Sequence, residues 1–200
     1  MNRRVFITDL DGVLYDFVGP VLQRLRYKFG VILDMEDIVS YSLGSFVNDE
    51  AAKRDIISLL DDPEFHYHEI QPLPGAIEAM VRMSERADLV AVTARPNHLS
   101  RVTRLAIDRD FGKLFKEVHH TRTEYKHKYS MSYKAKWAVE DHGPTAMMYA
   151  KQNVQTYLVR QPWNHDTQRG RLLRPVSGIA EAVSCILTPL GERMEGSFDG

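Results

Sequence analysis

Asp9 and Asp11 flank a single residue directly after the apolar, β-branched run Arg4-Val5-Phe6-Ile7-Thr8, and Gly12 follows them. Unbroken apolar character predicts a strand buried on both faces, so the two carboxylates leave a sheet at a strand end, where backbone groups are unpaired and a ligand can sit. Carboxylates this close repel each other. A divalent cation relieves the repulsion, and a hard ion such as Mg²⁺ favours oxygen ligands of this kind. Gly12 permits a turn that a side chain would obstruct. Alone, such a tetrapeptide is equally well a solvated turn. The balance shifts because Glu140 and Asp141 close another short apolar run, 137–139, and Thr93 closes Leu89-Val90-Ala91-Val92. In a parallel sheet these ends share one edge, giving an oxygen-rich metal site and a hydroxyl for a phosphate oxygen. Lys126, Lys128, Lys134 and Lys136 lie just upstream, and an ammonium there would balance both the carboxylates and a transferring phosphoryl group.

Positioning these groups requires a sheet. Runs at 115–120 and 156–159 bring the predicted strands to five, and helical patterns at 76–86, 98–110, 124–133 and 145–152 separate them. The alternation predicts an α/β three-layer sandwich with a mostly parallel, Rossmann-like five-stranded sheet. The first two strands are separated by far more chain than the roughly thirty residues of a plain βαβ unit. Residues 18–71 therefore read as a small helical cap inserted after the first strand, with helices at 20–29, 34–40 and 50–60, seated over the carboxyl ends of the strands. The return is marked by Pro72-Leu73-Pro74-Gly75, which leaves 1–17 and 72–188 as the catalytic core. Residues 189–200, rich in Gly, Glu, Ser and Asp, are expected to form a flexible tail.

A chain of 200 residues with 44% hydrophobic and 26% charged side chains has ordinary globular composition, which excludes disorder, collagen-like repeats and coiled coil. No stretch approaches the roughly 18 apolar residues of a membrane span. A strand-like run so close to Met1 leaves no room for a signal peptide, so the cytoplasm is the expected compartment. Cys185, the single cysteine, excludes an internal disulfide framework and a thiolate zinc site. The formal charge is -1, but residues 18–71 carry five basic and ten acidic side chains and residues 95–136 carry eleven basic and four acidic. That distribution is a poor general nucleic-acid surface and suits a small anion such as a phosphate ester.

The set Asp9-Leu10-Asp11-Gly12-Val13, Thr93 after its apolar run, a downstream lysine and Glu140-Asp141 resembles the four motifs of the haloacid dehalogenase-like phosphatase superfamily. More narrowly, residues 9–17 (DLDGVLYDF), 71–76 (QPLPGA), 93–96 (TARP), 111–115 (FGKLF) and 161–164 (QPWN) resemble the 5'(3')-deoxyribonucleotidase family, the cytosolic type C deoxy 5'-nucleotidases. The resemblance covers roughly residues 4–165. It implies that Asp9 attacks phosphorus to form an aspartyl-phosphate and that Asp11 serves as acid and then base. It also implies Mg²⁺ held by Asp9, the Asp11 carbonyl and Asp141, with Glu140 as a further candidate. Thr93, Ala94 and a lysine would grip the phosphoryl oxygens. Lys126, in the first turn of the predicted helix 124–133, is the expected lysine, with Lys128 as the alternative.

Family members use aromatic residues around the positions matching Phe17 and the segment before QPLPG, so Phe17, Phe65 and Tyr67 are expected in the substrate pocket together with Arg95. Phe46 is expected in the core of the cap, and Asn97 as a helix cap. His66 and His68 alternate as ligands on a strand would, but no third ligand at suitable spacing supports zinc. Arg169, Arg171 and Arg174 around Gly170 suggest an exposed basic loop. The reading that follows is a Mg²⁺-dependent phosphomonoesterase acting on nucleoside monophosphates. Nucleic acid is not expected as a partner, and a homodimer stays open. A nucleic-acid 3'-end phosphatase and a non-catalytic phosphate-binding protein on the same fold are the alternatives.

Overall fold

Six short strands carry the architecture of the chain, whose computed structural model describes residues 3–188 except Leu43. They are β1 (Arg4–Thr8), β4 (Ala87–Thr93), β5 (Phe115–His120), β6 (Trp137–Glu140), β7 (Gln155–Val159) and β8 (Leu173–Val176), while β2 (Tyr15–Asp16) and β3 (Gln71–Pro72) make a separate short antiparallel pair. The main sheet runs β5-β4-β1-β6-β7-β8 with every pair parallel. The chain proceeds outward from β1 through β4 to β5 and then crosses back to β6. This reversal beside β1 is a topological switch point, where the carboxyl ends of neighbouring strands open a crevice.

The sheet has six strands instead of the five expected. The additional strand, β8, is short, carries Arg174 and Pro175, and lies at the edge, where a proline interrupts no ladder on its outer side. Arg174 thus belongs to a strand rather than to a basic loop. The strand is followed by α7 (Ile179–Leu187), which packs against α3 (Ala76–Ser84). On α3 the buried residues Ala76, Ala79, Met80 and Met83 recur at helical spacing. Phe6 of β1 packs into the apolar cluster shared with α3, α7 and α4 (Ser100–Phe111). Its neighbour Ile7 faces the opposite side and packs with Tyr149 of α6 (Gly143–Lys151). The period of two along β1 thereby separates the outer layers.

Between β2 and β3 lie α1 (Val18–Phe29), α2 (Glu50–Leu59), one 3₁₀ turn at Met35–Asp37 and a wide π turn at Phe65–Glu69. The helix expected over 34–40 is only that single turn. α1 buries Val21 and Leu25, and α2, capped by the Asp49 carboxylate on the Ala52 N–H at 2.8 Å, buries Ala52, Ile56 and Leu59. Those side chains join the cluster that contains Phe6. The expected tail, 189–200, lies outside the described residues. Among the described residues no helix is long and apolar enough to cross a membrane.

Candidate active site

β1 delivers Asp9 to the crevice. Its N–H donates to the Val139 carbonyl at 3.1 Å, continuing the β1–β6 pairing one residue past the strand, and its Oδ1 accepts the Leu10 N–H at 2.8 Å. The Leu10 carbonyl then accepts from the N–H groups of Leu14 and Tyr15 at 2.8 and 2.9 Å, which folds the next residues into a tight turn. Gly12 sits in that turn at φ +75°, and a Cβ on it would collide with the Asp141 carboxylate. Glycine is thus required twice here, for its backbone conformation and for the close approach of the turn to β6.

Glu140 and Asp141 stand at the end of β6. Asp9, Glu140 and Asp141 each place a carboxylate oxygen within 4.8 Å of the others, and all three are buried. The Lys126 ammonium is set between Asp9, which it contacts directly, and Glu140, at 3.3 Å. Lys126 is the first residue of α5 (Lys126–Ser132) and is 0% exposed. Burial disfavours its charge, but the Asp9 and Glu140 carboxylates outweigh burial and hold its pKa above the usual lysine value. Burial, reinforced by the Asp9 charge, drives the Glu140 carboxyl well above the carboxylate range and lifts Asp141 to about 7. A single ammonium therefore does not compensate three carboxyl groups.

Asp141 is fixed by the turn after β7. Trp163 Nε1 donates to its Oδ2 at 3.2 Å, and Asn164 Nδ2 donates to the Asp141 carbonyl at 2.7 Å and to the Val159 carbonyl at 2.8 Å. Asp141 Oδ1, although buried, has no hydrogen-bond partner. An orphaned carboxylate oxygen among acidic side chains, in a donor set made only of oxygen, fits a hard divalent cation. The Asp11 carboxylate is not part of this group. It forms a two-pronged ion pair with Arg95, whose Nε and Nη2 donate at 2.9 and 2.6 Å. Burial works against the ionised Asp11, but the guanidinium prevails and holds its pKa below the usual aspartate value.

The loop after β4 brings Thr93, Ala94 and Arg95 to the same crevice. Thr93 Oγ1 is buried and accepts the Arg95 N–H at 3.2 Å, and His120 Nδ1 donates to the Arg95 carbonyl at 3.0 Å. Above Asp11, Arg95 and Asp141 opens a cavity of about 280 Å³, walled by Phe17, Tyr41, Phe46, His66 and Trp163. Phe46, expected in the core, does pack against it and also lines the cavity. Phe65 stands behind the wall, edge-on to Phe17 with ring centroids 5.7 Å apart. Tyr67 lies outside it, with the Arg109 guanidinium 4.8 Å from its ring centre. The π turn redistributes these side chains: Phe65 and His66 are buried, and Tyr67 is left at the periphery.

The structure does not bring Lys128 to the carboxylates, since its ammonium lies 4.3 Å from the centre of the Tyr125 ring. His66 and His68 do not converge: His66 Nε2 meets the Leu60 carbonyl at 3.2 Å, and His68 pairs with Glu64 at the surface. Asn97 opens a 3₁₀ turn, Asn97–Leu99, without a side-chain capping bond. No pattern in the chain singles out Tyr41 or the inward-facing role of His66. Trp163 was visible only as one letter of the QPWN tetrapeptide.

The sequence model of the family described as 5' nucleotidase, deoxy (pyrimidine), cytosolic type C protein matches residues 3–111. A mouse protein named 5'(3')-deoxyribonucleotidase, mitochondrial, is 31% identical over 86 residues, which is 39% of this chain and 37% of the relative. The match thus spans little more than a third of that relative's length. Among solved structures, a haloacid dehalogenase-like family hydrolase from Streptococcus pneumoniae superposes with a TM-score of 0.65 at 13% identity, covering 92% of this chain and 98% of the other. A haloacid dehalogenase-superfamily hydrolase from Geobacter sulfurreducens gives 0.61 at 17%, covering 92% and 96%. At these identities the structural likeness establishes the fold. With the family match running from β1 through α4 and the superpositions extending over nearly the whole chain, this protein belongs to the deoxy (pyrimidine) cytosolic type C 5' nucleotidase family, built on the haloacid dehalogenase-like fold.

Proposed function

We propose that the chain hydrolyses phosphomonoesters, deoxynucleoside monophosphates foremost, with Asp9 as the nucleophile and Asp11 as the proton carrier. The observation that carries this reading is the convergence of Asp9, Glu140, Asp141 and buried Lys126 beneath a cavity whose walls are aromatic. The names borne by the family and by the mouse relative support it. A carboxylate oxygen of Asp9 attacks phosphorus, the bond from phosphorus to the ester oxygen breaks, and Asp11, which must be protonated for this step against the pull of Arg95, delivers that proton to the oxygen as the alcohol leaves. Water then attacks the phosphorus of the aspartyl-phosphate and gives a proton to Asp11. The bond to Asp9 breaks, and inorganic phosphate departs.

Asp9, Asp141 and the Asp11 carbonyl, with Glu140 beside them, would hold Mg²⁺, which when bound supplies positive charge against the phosphoryl oxygens. Lys126, Thr93 and Ala94 bind those oxygens from the other side. Phe17, Tyr41 and Trp163 offer flat apolar surfaces to a base. We assign residues 18–71 as the cap, and the cavity, close to the lower end of the range for small-ligand sites, supports a monomeric ester over a polymer.

Phosphate release from dUMP and dTMP, measured beside a 3'-phosphorylated oligonucleotide with MgCl₂ or EDTA, tests the proposal. The monomers should be cleaved only with the metal, and Asp9→Asn should remove turnover while leaving the fold intact. Wild-type rates in Asp9→Asn would overturn the covalent route. Preference for the oligonucleotide, falling steeply with salt, would instead support an end phosphatase.

A further inference from the structure

Two buried side chains on the cavity wall have polar atoms that the fold leaves unused. Arg95 is 5% exposed, and its Nε and Nη2 are taken by Asp11, yet Nη1 has no hydrogen-bond partner. His66 is 2% exposed, and its Nδ1 is likewise without a partner. The two reach the cavity from different parts of the chain, Arg95 from the loop after β4 and His66 from the π turn before β3. A buried donor or acceptor left unpaired is costly, because it has given up its hydrogen bond to water without gaining another. Two of them lining one cavity point to a ligand group that satisfies both.

The chemistry of that group follows from the tautomer. His66 Nε2 lies 3.2 Å from the Leu60 carbonyl oxygen, which can only accept, so Nε2 carries the hydrogen. Burial and the nearby Arg95 charge keep the imidazole pKa below its ordinary value, so the ring is neutral and Nδ1 is an acceptor. Arg95 Nη1 is a donor. A phosphate or carboxylate oxygen would answer Arg95 but present no hydrogen to His66, and an amine would do the reverse. A hydroxyl does both with one oxygen. Position narrows the choice further. Arg95 grips the Asp11 carboxylate, so Nη1 lies only a guanidinium's width from the proposed proton carrier and hence close to the ester oxygen.

We infer that Arg95 and His66 together bind a substrate hydroxyl adjacent to the scissile ester, which in a nucleoside 5'-monophosphate is the sugar 3'-hydroxyl. The inference rests on the phosphomonoesterase reading and adds a requirement that this reading alone does not contain. It makes the enzyme discriminate against esters lacking the neighbouring alcohol, because such a substrate leaves both polar atoms buried and unpaired.

The test compares kcat/KM for dUMP with that for 2',3'-dideoxyuridine 5'-monophosphate in the wild type, His66→Phe and His66→Gln. The wild type should favour dUMP by about 10⁴-fold, as expected for a site built to bond a hydroxyl. His66→Phe should reduce the preference to a few-fold by slowing dUMP hydrolysis. His66→Gln, whose amide oxygen can accept a hydrogen bond, should retain much of it. If the wild type cleaved both esters equally, or His66→Phe kept the full preference, the hydroxyl site would be wrong while the hydrolase reading stood. If neither ester were cleaved with Mg²⁺ present, both would fall. The wild-type ratio decides the matter even if a variant fails to fold.

Discussion

Lys126 illustrates how costly the arrangement is at the scale of a residue. A fully buried ammonium is unfavourable unless its partners are equally fixed, and here they are Asp9 and Glu140, from the ends of two adjacent strands. Removing the cation leaves three buried carboxyl groups facing one another. Lys126→Met, which keeps most of the volume, should therefore destabilise the metal-free protein by about 3–5 kcal/mol, the usual cost of breaking a buried pair. It should also eliminate turnover. Urea unfolding with and without Mg²⁺ checks both the size and the cause, since added metal should recover part of the loss if the destabilisation is electrostatic. No recovery would mean that lost packing, not charge, sets the stability. The equivalent change at Lys128, whose ammonium lies over the Tyr125 ring, should alter stability by well under that amount.

At the scale of elements, the strands were readable because each apolar run stops abruptly at polar residues, and parallel pairing places those stops along one edge. Thr8–Asp9, Thr93 and Glu140–Asp141 follow this rule. β8 does not, because Arg174 and Pro175 interrupt the pattern, as an edge position permits. Lys126 and Lys128 could not be separated by composition, but residues two apart on a helix point about 200° away from each other. Only the observed start of α5 fixes which one meets the carboxylates. Tyr67 falls outside the pocket expected for it because a π turn has no signature in a 3.6-residue period. The Arg95–Asp11 pair joins the loops after the neighbouring strands β1 and β4, whereas the proximity of His66 depends on the insertion folding back over the β4 loop, which no local pattern encodes. The turn after β7 is a further case: Asn164 joins the Asp141 and Val159 carbonyls, stapling β6 to β7 at the site. Asn164→Ala leaves both carbonyls buried without that donor and should cost about 1–3 kcal/mol. A denaturant midpoint reads the stability. A Mg²⁺ titration should show weakened binding, because Asp141 loses its fixed backbone. Unchanged binding in a destabilised variant would confine Asn164 to a structural role.

Over the whole molecule, the decisive question is whether the helices between β2 and β3 behave as a separate body. Their chain enters and leaves through the paired residues Tyr15–Pro72 and Asp16–Gln71, and the Leu73 N–H adds a bond to the Leu14 carbonyl at 2.8 Å. Val21 and Leu25 of α1 and Ile56 and Leu59 of α2 share one apolar cluster with Phe6, Leu89 and Val139 of the sheet. Phe17 lies in that cluster and also on the cavity wall. Swinging the helices away as a unit would expose these side chains, at about 25 cal/mol for every Å² of apolar surface uncovered. Even a few hundred Å² would then cost a large part of a domain's net stability. The cavity should accordingly be preformed, with its aromatic wall held by the same packing that holds the sheet. Native-state hydrogen exchange can measure this. The most protected amides of α1 and α2 should open with the same free energy as those of β1 and β4, and with the same denaturant dependence, because only global unfolding releases them. If α1 and α2 instead shared a distinctly lower opening free energy, the insertion would be an independently moving lid, and the shape of the substrate site would be set by its closure.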